Sequence, residues 1–237
     1  MKIFTYTGSR RPQSNTNKLI NRIIQYIEKN EEIEVNRYTA HSTDIKACIG
    51  CCKCFSEGKC SLDSVDRFDI IKEQMLEADM IILGTPVYSA MVSGDMKIFI
   101  DRLSNFLHIM PLCAKPVILV ITASGNSLIE TNTFFKKIVE SWGGFVPFSI
   151  LCSVDVPNML VSEEFNNIVF PKYCREIFKL LHKPDIKSST YQETYFSSLK
   201  SAMVVPSDNA EYRYWKDNDM LGKKTYQELI DSKQKNR

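Results

Sequence analysis

Short β-branched apolar runs alternate strictly with amphipathic helical runs from the first residues to about residue 182, and no other feature restricts the fold of this chain as much. Strands are expected at Lys2–Thr7, Ile33–Tyr38, Met80–Gly84, Val117–Thr122 and Phe145–Ser153. Two of them, MIILG and VILVIT, are almost continuously apolar, as strands covered on both faces must be. Pro147 weakens the last strand and suits an edge position. Helices are expected over Asn15–Lys29, Val65–Ala78, Gly94–Leu107, Leu128–Trp142 and Phe170–His182. Each carries an apolar stripe, such as Leu19, Ile20, Ile23, Ile24 and Ile27, whose ordinary use is core packing. Pro171 falls in the first turn of the last helix, where proline is tolerated. Such alternation predicts an α/β three-layer sandwich around a parallel sheet of five strands.

The pattern changes at Pro184-Asp185. Residues 185–237 are polar and aromatic (Tyr191, Tyr195, Phe196, Tyr212, Tyr214, Trp215, Tyr226), with too little aliphatic content for a core of their own. We therefore expect one domain over residues 1–184 and a helical C-terminal arm over 185–237 that is not an independent domain. An arm rich in Tyr and Trp suits a contact in a homodimer or homotetramer, or packing on its own domain. The lysine-rich stretch 223–237 reads as a solvated tail.

Lys and Arg exceed Asp and Glu by 30 to 28, a net charge of +2, which gives no reason to expect nucleic acid or an anionic membrane as partner. No apolar stretch approaches the roughly 18 residues of a membrane span. The start MKIFTYTGSRRPQSN has no charged-then-apolar leader pattern, so a cytoplasmic chain is expected. Eight cysteines is a high count for such a chain, and five of them fall between Cys48 and Cys60. That clustering favours metal or redox chemistry over a disulfide framework.

In open α/β sheets, ligands bind beyond the carboxyl ends of the strands. The first strand here runs into Gly8-Ser9-Arg10-Arg11-Pro12-Gln13-Ser14-Asn15-Thr16 and then a helix. Gly8 permits a tight exit, and Ser9, Ser14, Asn15 and Thr16 offer hydroxyl, amide and backbone donors. Arg10 or Arg11 supplies charge, and the helix points its positive end at the loop. With neither a Gly-Lys-Ser/Thr nor a GxGxxG pattern, a monophosphate fits better than a triphosphate or dinucleotide. After the third strand, GTPVYSAMVSG places Tyr88 and several backbone amides between Pro86, expected to block the strand ladder, and Ser93, a helix cap. Ala123-Ser124-Gly125-Asn126 follows the fourth strand and closes the other side. Three such loops at one sheet edge suit a flat aromatic ring with a phosphate tail.

GSRRPQSNT resembles the GSxRxxSNT loop of NAD(P)H-dependent FMN reductases, and GTPVYSAMVSGDMKIFIDR resembles a block of that family's iron–sulfur flavoprotein branch. The resemblance covers roughly residues 1–182. It implies a flavodoxin-like fold with strand order 2-1-3-4-5, bound FMN, and NAD(P)H as co-substrate. It further implies that Ser9, Arg11, Ser14, Asn15 and Thr16 hold the FMN phosphate, with Arg11 rather than Arg10 as the family arginine. Pro86, Val87, Tyr88 and Ser89 would contact the isoalloxazine, with Ser124 and Gly125 across from them.

Cys48-x2-Cys51-x2-Cys54-x5-Cys60, on a loop with Gly50 and Gly58, could wrap a [4Fe–4S] cluster. Structural zinc usually splits its ligands into two distant knuckles, which argues against it, while a purely structural or thiol-redox loop stays open. The iron–sulfur flavoprotein branch looks similar here. Cys52 is an additional thiol, either a bystander or an alternative ligand, and Cys113, Cys152 and Cys174 lie in or near core elements and are expected to be inert. His41, His108 and His182 have no partner at ligand spacing, and Asp101 and Arg102 are expected to pair with neighbours that seat the flavin loop. No side-chain catalytic group is expected, because hydride and electron chemistry belongs to the flavin. The expected function is an FMN-dependent NAD(P)H oxidoreductase passing electrons to a quinone, another small acceptor or an iron–sulfur cluster. The alternatives are a flavodoxin-type carrier serving redox-protein partners and a cysteine-loop metal-binding protein.

Overall fold

In the computed structural model, which describes residues 1–155, 158–182 and 184–235, the chain runs β1 (Lys2–Thr7), α1 (Asn15–Glu28), β2 (Glu34–Thr39), α2 (Lys53–Ser56), α3 (Asp63–Asp66), α4 (Phe68–Glu77) and β3 (Met80–Tyr88). It continues through β4 (Met91–Val92), α5 (Gly94–Arg102), α6 (Phe106–Ile109), β5 (Val117–Ala123), α7 (Leu128–Ser141), β6 (Ser149–Ser153) and α8 (Phe170–His182). The arm supplies α9 (Thr190–Ala202), α10 (Ala210–Asp217) and α11 (Tyr226–Lys235). The long strands lie in the order β2-β1-β3-β5-β6, all parallel, which is 2-1-3-4-5 once the short β4 is set aside. The order reverses between β1 and β3, where Thr7 pairs with Gly84.

Several local expectations shift for identifiable reasons. Pro86 does not end β3, which continues to Tyr88 with Pro86 paired to Thr122. By Pro86 the strand has passed its last β1 partner, so one side is already an edge where a missing N–H is tolerated. The two-residue β4 then folds back antiparallel on Val87–Tyr88 and adds a sixth strand. Proline does act at the other edge: Phe145 makes a single bridge to Pro116, and β6 begins only at Ser149, after Pro147. The helix expected over 65–78 breaks at Arg67, whose φ of 55° is left-handed, and the one over 94–107 breaks near Leu103 into α5 and α6. A π-helical turn, Phe165–Val169, leads into α8, so Pro171 sits behind a widened turn that relieves its missing donor.

Two apolar layers flank the sheet. One joins the aliphatic stripe of α1 (Leu19, Ile23, Ile24, Ile27) to Cys174 and Ile177 of α8. The other is rich in aromatic rings: Phe68, Phe99, Phe106, Phe135 and Trp142 meet Phe196, Trp215 and Tyr226 of the arm. Phe196 stacks on Trp215 at 5.2 Å and tilts against Tyr226 at 5.6 Å. The Trp215 Nε1–H donates to the His108 carbonyl at 2.8 Å, and the Tyr226 hydroxyl to the Gly143 carbonyl at 2.7 Å. The lysine-rich end is therefore not simply a solvated tail. Its helix α11 buries Tyr226, Leu229 and Ile230. Among the described residues, no helix is long and apolar enough to cross a membrane.

Candidate functional site

The loop expected to hold a phosphate, called the phosphate loop below, is built by backbone geometry. The Gly8 N–H continues the sheet by donating to the Gly84 carbonyl at 2.8 Å, and Ser93 Oγ donates to the Gly8 carbonyl at 2.5 Å while capping α5 at Met96. A side chain at position 8 would lie 2.6 Å from Met96 Cβ, so only glycine lets the loop pass this close to the start of α5. Ser14 caps α1 by accepting from the Asn17 N–H at 3.2 Å. Among the described residues, no protein acceptor faces the backbone N–H groups of Asn15 and Thr16, the orphan donors of a helix start. Ser9 and Ser14 are buried, Asn15 is half-buried and Arg11 is exposed. The Thr16 hydroxyl is engaged with Thr122 Oγ1 at 2.7 Å, so what Thr16 offers an anion is its backbone amide.

The structure also separates the two arginines. Arg10 pairs with Asp95 at 2.9 Å, whereas Arg11 makes no ion pair among the described residues. Asn17 went unnoticed in the sequence, although its Nδ2 donates to the carbonyls of Arg11 and Pro12 at 3.2 and 3.3 Å and so shapes the loop from beneath. The only signal was a polar residue on an otherwise apolar helix face.

The second loop is a hairpin. Tyr88 pairs with Met91, and the two residues between them, Ser89 and Ala90, have φ of 49° and 63°, the signature of a type I′ turn. This turn holds Tyr88 and Ser89 exposed beyond a buried Pro86 and a half-buried Val87. Ser124 and Gly125 lie exposed at the end of β5, and a Cβ on Gly125 would meet nothing within 4 Å. The three loops thus share one open edge of the sheet, at the ends of β1, β3 and β5.

The cysteine loop leaves the same edge after β2. Cys48, Cys51, Cys52, Cys54 and Cys60 all line one hollow of about 120 Å³, together with Phe55, Leu62 and Arg102. Gly50 and Cys52 adopt φ of 68° and 60°, which coils the chain around this hollow. The Gly50 N–H donates to Cys48 Sγ at 3.5 Å, and Cys51 Sγ lies 3.2 Å from Ser61 Oγ. Ser61 and nearby backbone donors hold the Cys51 thiol below its usual range. Burial, followed by the charges of Cys60, Cys48 and Cys51, pushes the Cys54 thiol up. The sulfurs are thus close enough to repel one another as thiolates, the condition a cationic iron core relieves. In the arrangement described, no three His, Cys, Asp or Glu side chains converge to ligand distance. The donors that share the hollow are of the soft thiol type that iron–sulfur clusters take. By contrast Cys152 and Cys174 are buried, their thiols pushed up to about 11 and about 12 by desolvation, as expected of packing residues.

The sequence matches the family described as NADPH-dependent FMN reductase over residues 1–154, the span that contains all four loops. The chain belongs to that family. Among curated relatives, an iron–sulfur flavoprotein of Methanocaldococcus jannaschii is 40% identical over 102 residues, covering 43% of this chain and 51% of the relative. One from Clostridioides difficile is 30% identical over 147 residues, covering 62% and 64%. The chain therefore spans about half to just under two thirds of the length of these relatives. Solved structures with the same fold include an apo NADH:FMN oxidoreductase, with TM-score 0.56 and 18% identity over 81% of this chain and 92% of that one. Another is RosB with a bound formylriboflavin-phosphate intermediate, with TM-score 0.58 and 15% identity over 87% and 90%.

Within this FMN reductase family member, one expected role moves. Asp101 and Arg102 do not seat the flavin loop. Asp101 pairs with Lys97 on the surface at 2.7 Å, and Arg102 is buried under the cysteine loop. The reason is positional: both stand at the C-terminal end of α5, while its N-terminal end faces the phosphate loop.

Proposed function

We propose that this protein is an FMN-dependent NAD(P)H oxidoreductase that passes electrons to a quinone, another small acceptor or a redox protein. The observation that supports it best is the loop after β1, where two helix amides and the Arg11 side chain find no protein partner among the described residues, with two more loops on the same edge, all inside the family match. Ser9, Arg11, Ser14 and the amides of Asn15 and Thr16 would take the phosphate. Pro86, Val87, Tyr88 and Ser89 would line one side of the ring, with Ser124 and Gly125 opposite. Cys48, Cys51, Cys54 and Cys60 would hold a [4Fe–4S] cluster, in keeping with relatives named iron–sulfur flavoproteins. When bound, FMN supplies hydride acceptance and a cluster supplies single-electron transfer. The residues named here bind, orient and shield, and none is assigned a proton. Free thiols at all eight cysteines suit a reducing cytoplasmic setting. A homodimer or homotetramer belongs to the same reading; Phe196, Trp215 and Tyr226 of the arm are buried within the chain, while Tyr191, Tyr195, Tyr212 and Tyr214 are half-buried and keep surface for a contact.

Anaerobic purification tests this. A yellow protein whose flavin bleaches on NAD(P)H and turns over with an added quinone supports the proposal. Slow reduction by NAD(P)H with fast exchange to a ferredoxin favours a carrier instead. A colourless protein that refuses FMN removes the proposal altogether.

A further inference from the structure

Arg102 is the least expected residue in the molecule. Its side chain is completely buried, yet it lines the cysteine hollow. One terminal nitrogen donates to the Lys46 carbonyl at 3.0 Å and to Asp66; the other donates to Asp63 and Asp66, each at 3.1 Å. Asp66 in turn accepts the backbone N–H groups of Lys46 at 2.8 Å and Phe68 at 3.1 Å. Lys46 precedes the first cysteine by two residues, and Asp63 follows the last by three. The guanidinium therefore staples together the two ends of the cysteine loop. It lies over the Phe68 ring at 5.0 Å, which fixes its plane.

The staple uses only the terminal nitrogens. Nε is buried and has no hydrogen-bond partner among the described residues. An unmade bond at a buried charged donor is costly, so native proteins rarely leave one. Cys60 is coupled to the guanidinium by charge and by a side-chain hydrogen bond, while Nε has no partner of its own among the described residues. The unused donor thus belongs to a guanidinium that already meets the last of the four cysteines and lines their hollow.

We propose that Arg102 is a positioning residue for the cysteine-bound cluster, holding the loop ends with its terminal nitrogens and donating its Nε–H to a sulfur of the Cys60-bound cluster. The inference rests on the reading that these cysteines hold an iron–sulfur cluster. A donor aimed at a cluster sulfur stabilises the reduced, more negative state and so raises the reduction potential. Helix α5, about 13 Å long at 1.5 Å per residue, also joins Arg102 to the Ser93 cap beside the phosphate loop, tying the position of one site to the other.

The test uses the full chain purified anaerobically with its flavin, comparing wild type, Arg102→Lys and Asp66→Asn. Iron and acid-labile sulfide in the wild-type protein test the cluster reading by themselves, and their absence overturns both that reading and this inference. Arg102→Lys keeps a cation against Asp63 and Asp66 but has no Nε–H. It is expected to retain FMN, to shift the cluster midpoint potential to a more negative value, and to lose iron to a chelator about 10- to 100-fold faster. Asp66→Asn loosens the staple and leaves Nε in place, so iron loss should accelerate with the potential unmoved. Wild-type potential and retention in Arg102→Lys would overturn the proposal. Loss of FMN together with iron in both variants would overturn it too, because the residue would then be supporting the whole domain.

Discussion

The phosphate loop and the cysteine loop leave the same edge of the sheet, yet they are held in opposite ways. The first is short and anchored by main chain: Gly8 extends the sheet onto Gly84, Ser14 caps α1, and Ser93 reaches the Gly8 carbonyl. The second is long, contains left-handed residues at Gly50, Cys52 and Gly58, and has only one short helix, α2. It is held by side chains from remote segments. Arg102 ties its ends, His108 lies 4.9 Å from Phe55, and Glu211 of the arm bonds His108 at 2.7 Å. A Cβ at Gly58 would come within 3.1 Å of Ala210, so α10 presses directly on the loop. A loop anchored by the sheet follows from the fold itself, whereas a loop anchored by side chains depends on each tertiary contact. The family match, over residues 1–154, also stops before the arm that supports the cysteine loop.

The largest test of this contrast is Trp215→Ala. Removing a completely buried indole that stacks on Phe196 should cost about 3–5 kcal/mol, read as a lower unfolding midpoint. Hydrogen exchange should then show residues 50–58 losing protection well before residues 8–16. Equal loss at both loops would break the contrast. Gly84→Ala attacks the other side. Its Cβ would lie 2.5 Å from Ile20 Cδ1 and 2.8 Å from Thr16 Cγ2, pushing the start of α1 away from β3. About 1–3 kcal/mol of destabilisation is expected, with weaker FMN binding by fluorescence titration and unchanged thiol reactivity in the cysteine loop.

Arg11→Ala is expected to lower FMN affinity about tenfold, near 1.4 kcal/mol, without moving the unfolding midpoint. Arg10→Ala should do much less, because Arg10 is already paired with Asp95 in an exposed ion pair. The reverse ranking would place the phosphate on the wrong arginine. The smallest effect concerns pH. Burial alone would raise the Asp66 carboxyl, but the Arg102 guanidinium and the amides of Lys46 and Phe68 outweigh it and hold it below the usual range. A carboxylate depressed in the folded state stabilises fully above its unfolded value, near about 3.9, and that stabilisation is lost as pH falls through the folded value. Cysteine-loop protection should therefore decline in acid below about pH 4, and Asp66→Asn should remove that acid limb. A phosphate loop titrating over the same range would contradict the comparison.

Much of the molecule was legible beforehand where local patterns carry the information. The apolar runs at Met80–Gly84 and Val117–Thr122 read as covered strands, and Ser14 stood at the start of the first helix, where it caps α1. Pro86 misled because the penalty for a proline in a strand depends on whether a neighbour is present, which is a fact about β1's length. Arg102 misled for a similar reason: its partners lie 36 to 56 residues away.

What the amino-acid order determined by itself was the alternation that makes a parallel sheet, the donor-rich turn after its first strand and the close spacing of four thiols, because each is a property of neighbouring residues. The folding-back of the arm over the aromatic face, the turn that presents Tyr88 and the burial of Arg102 beneath the cysteines were decided only in three dimensions. Burial, pairing and desolvation arise between segments, and chain-local chemistry carries no record of which segments will meet.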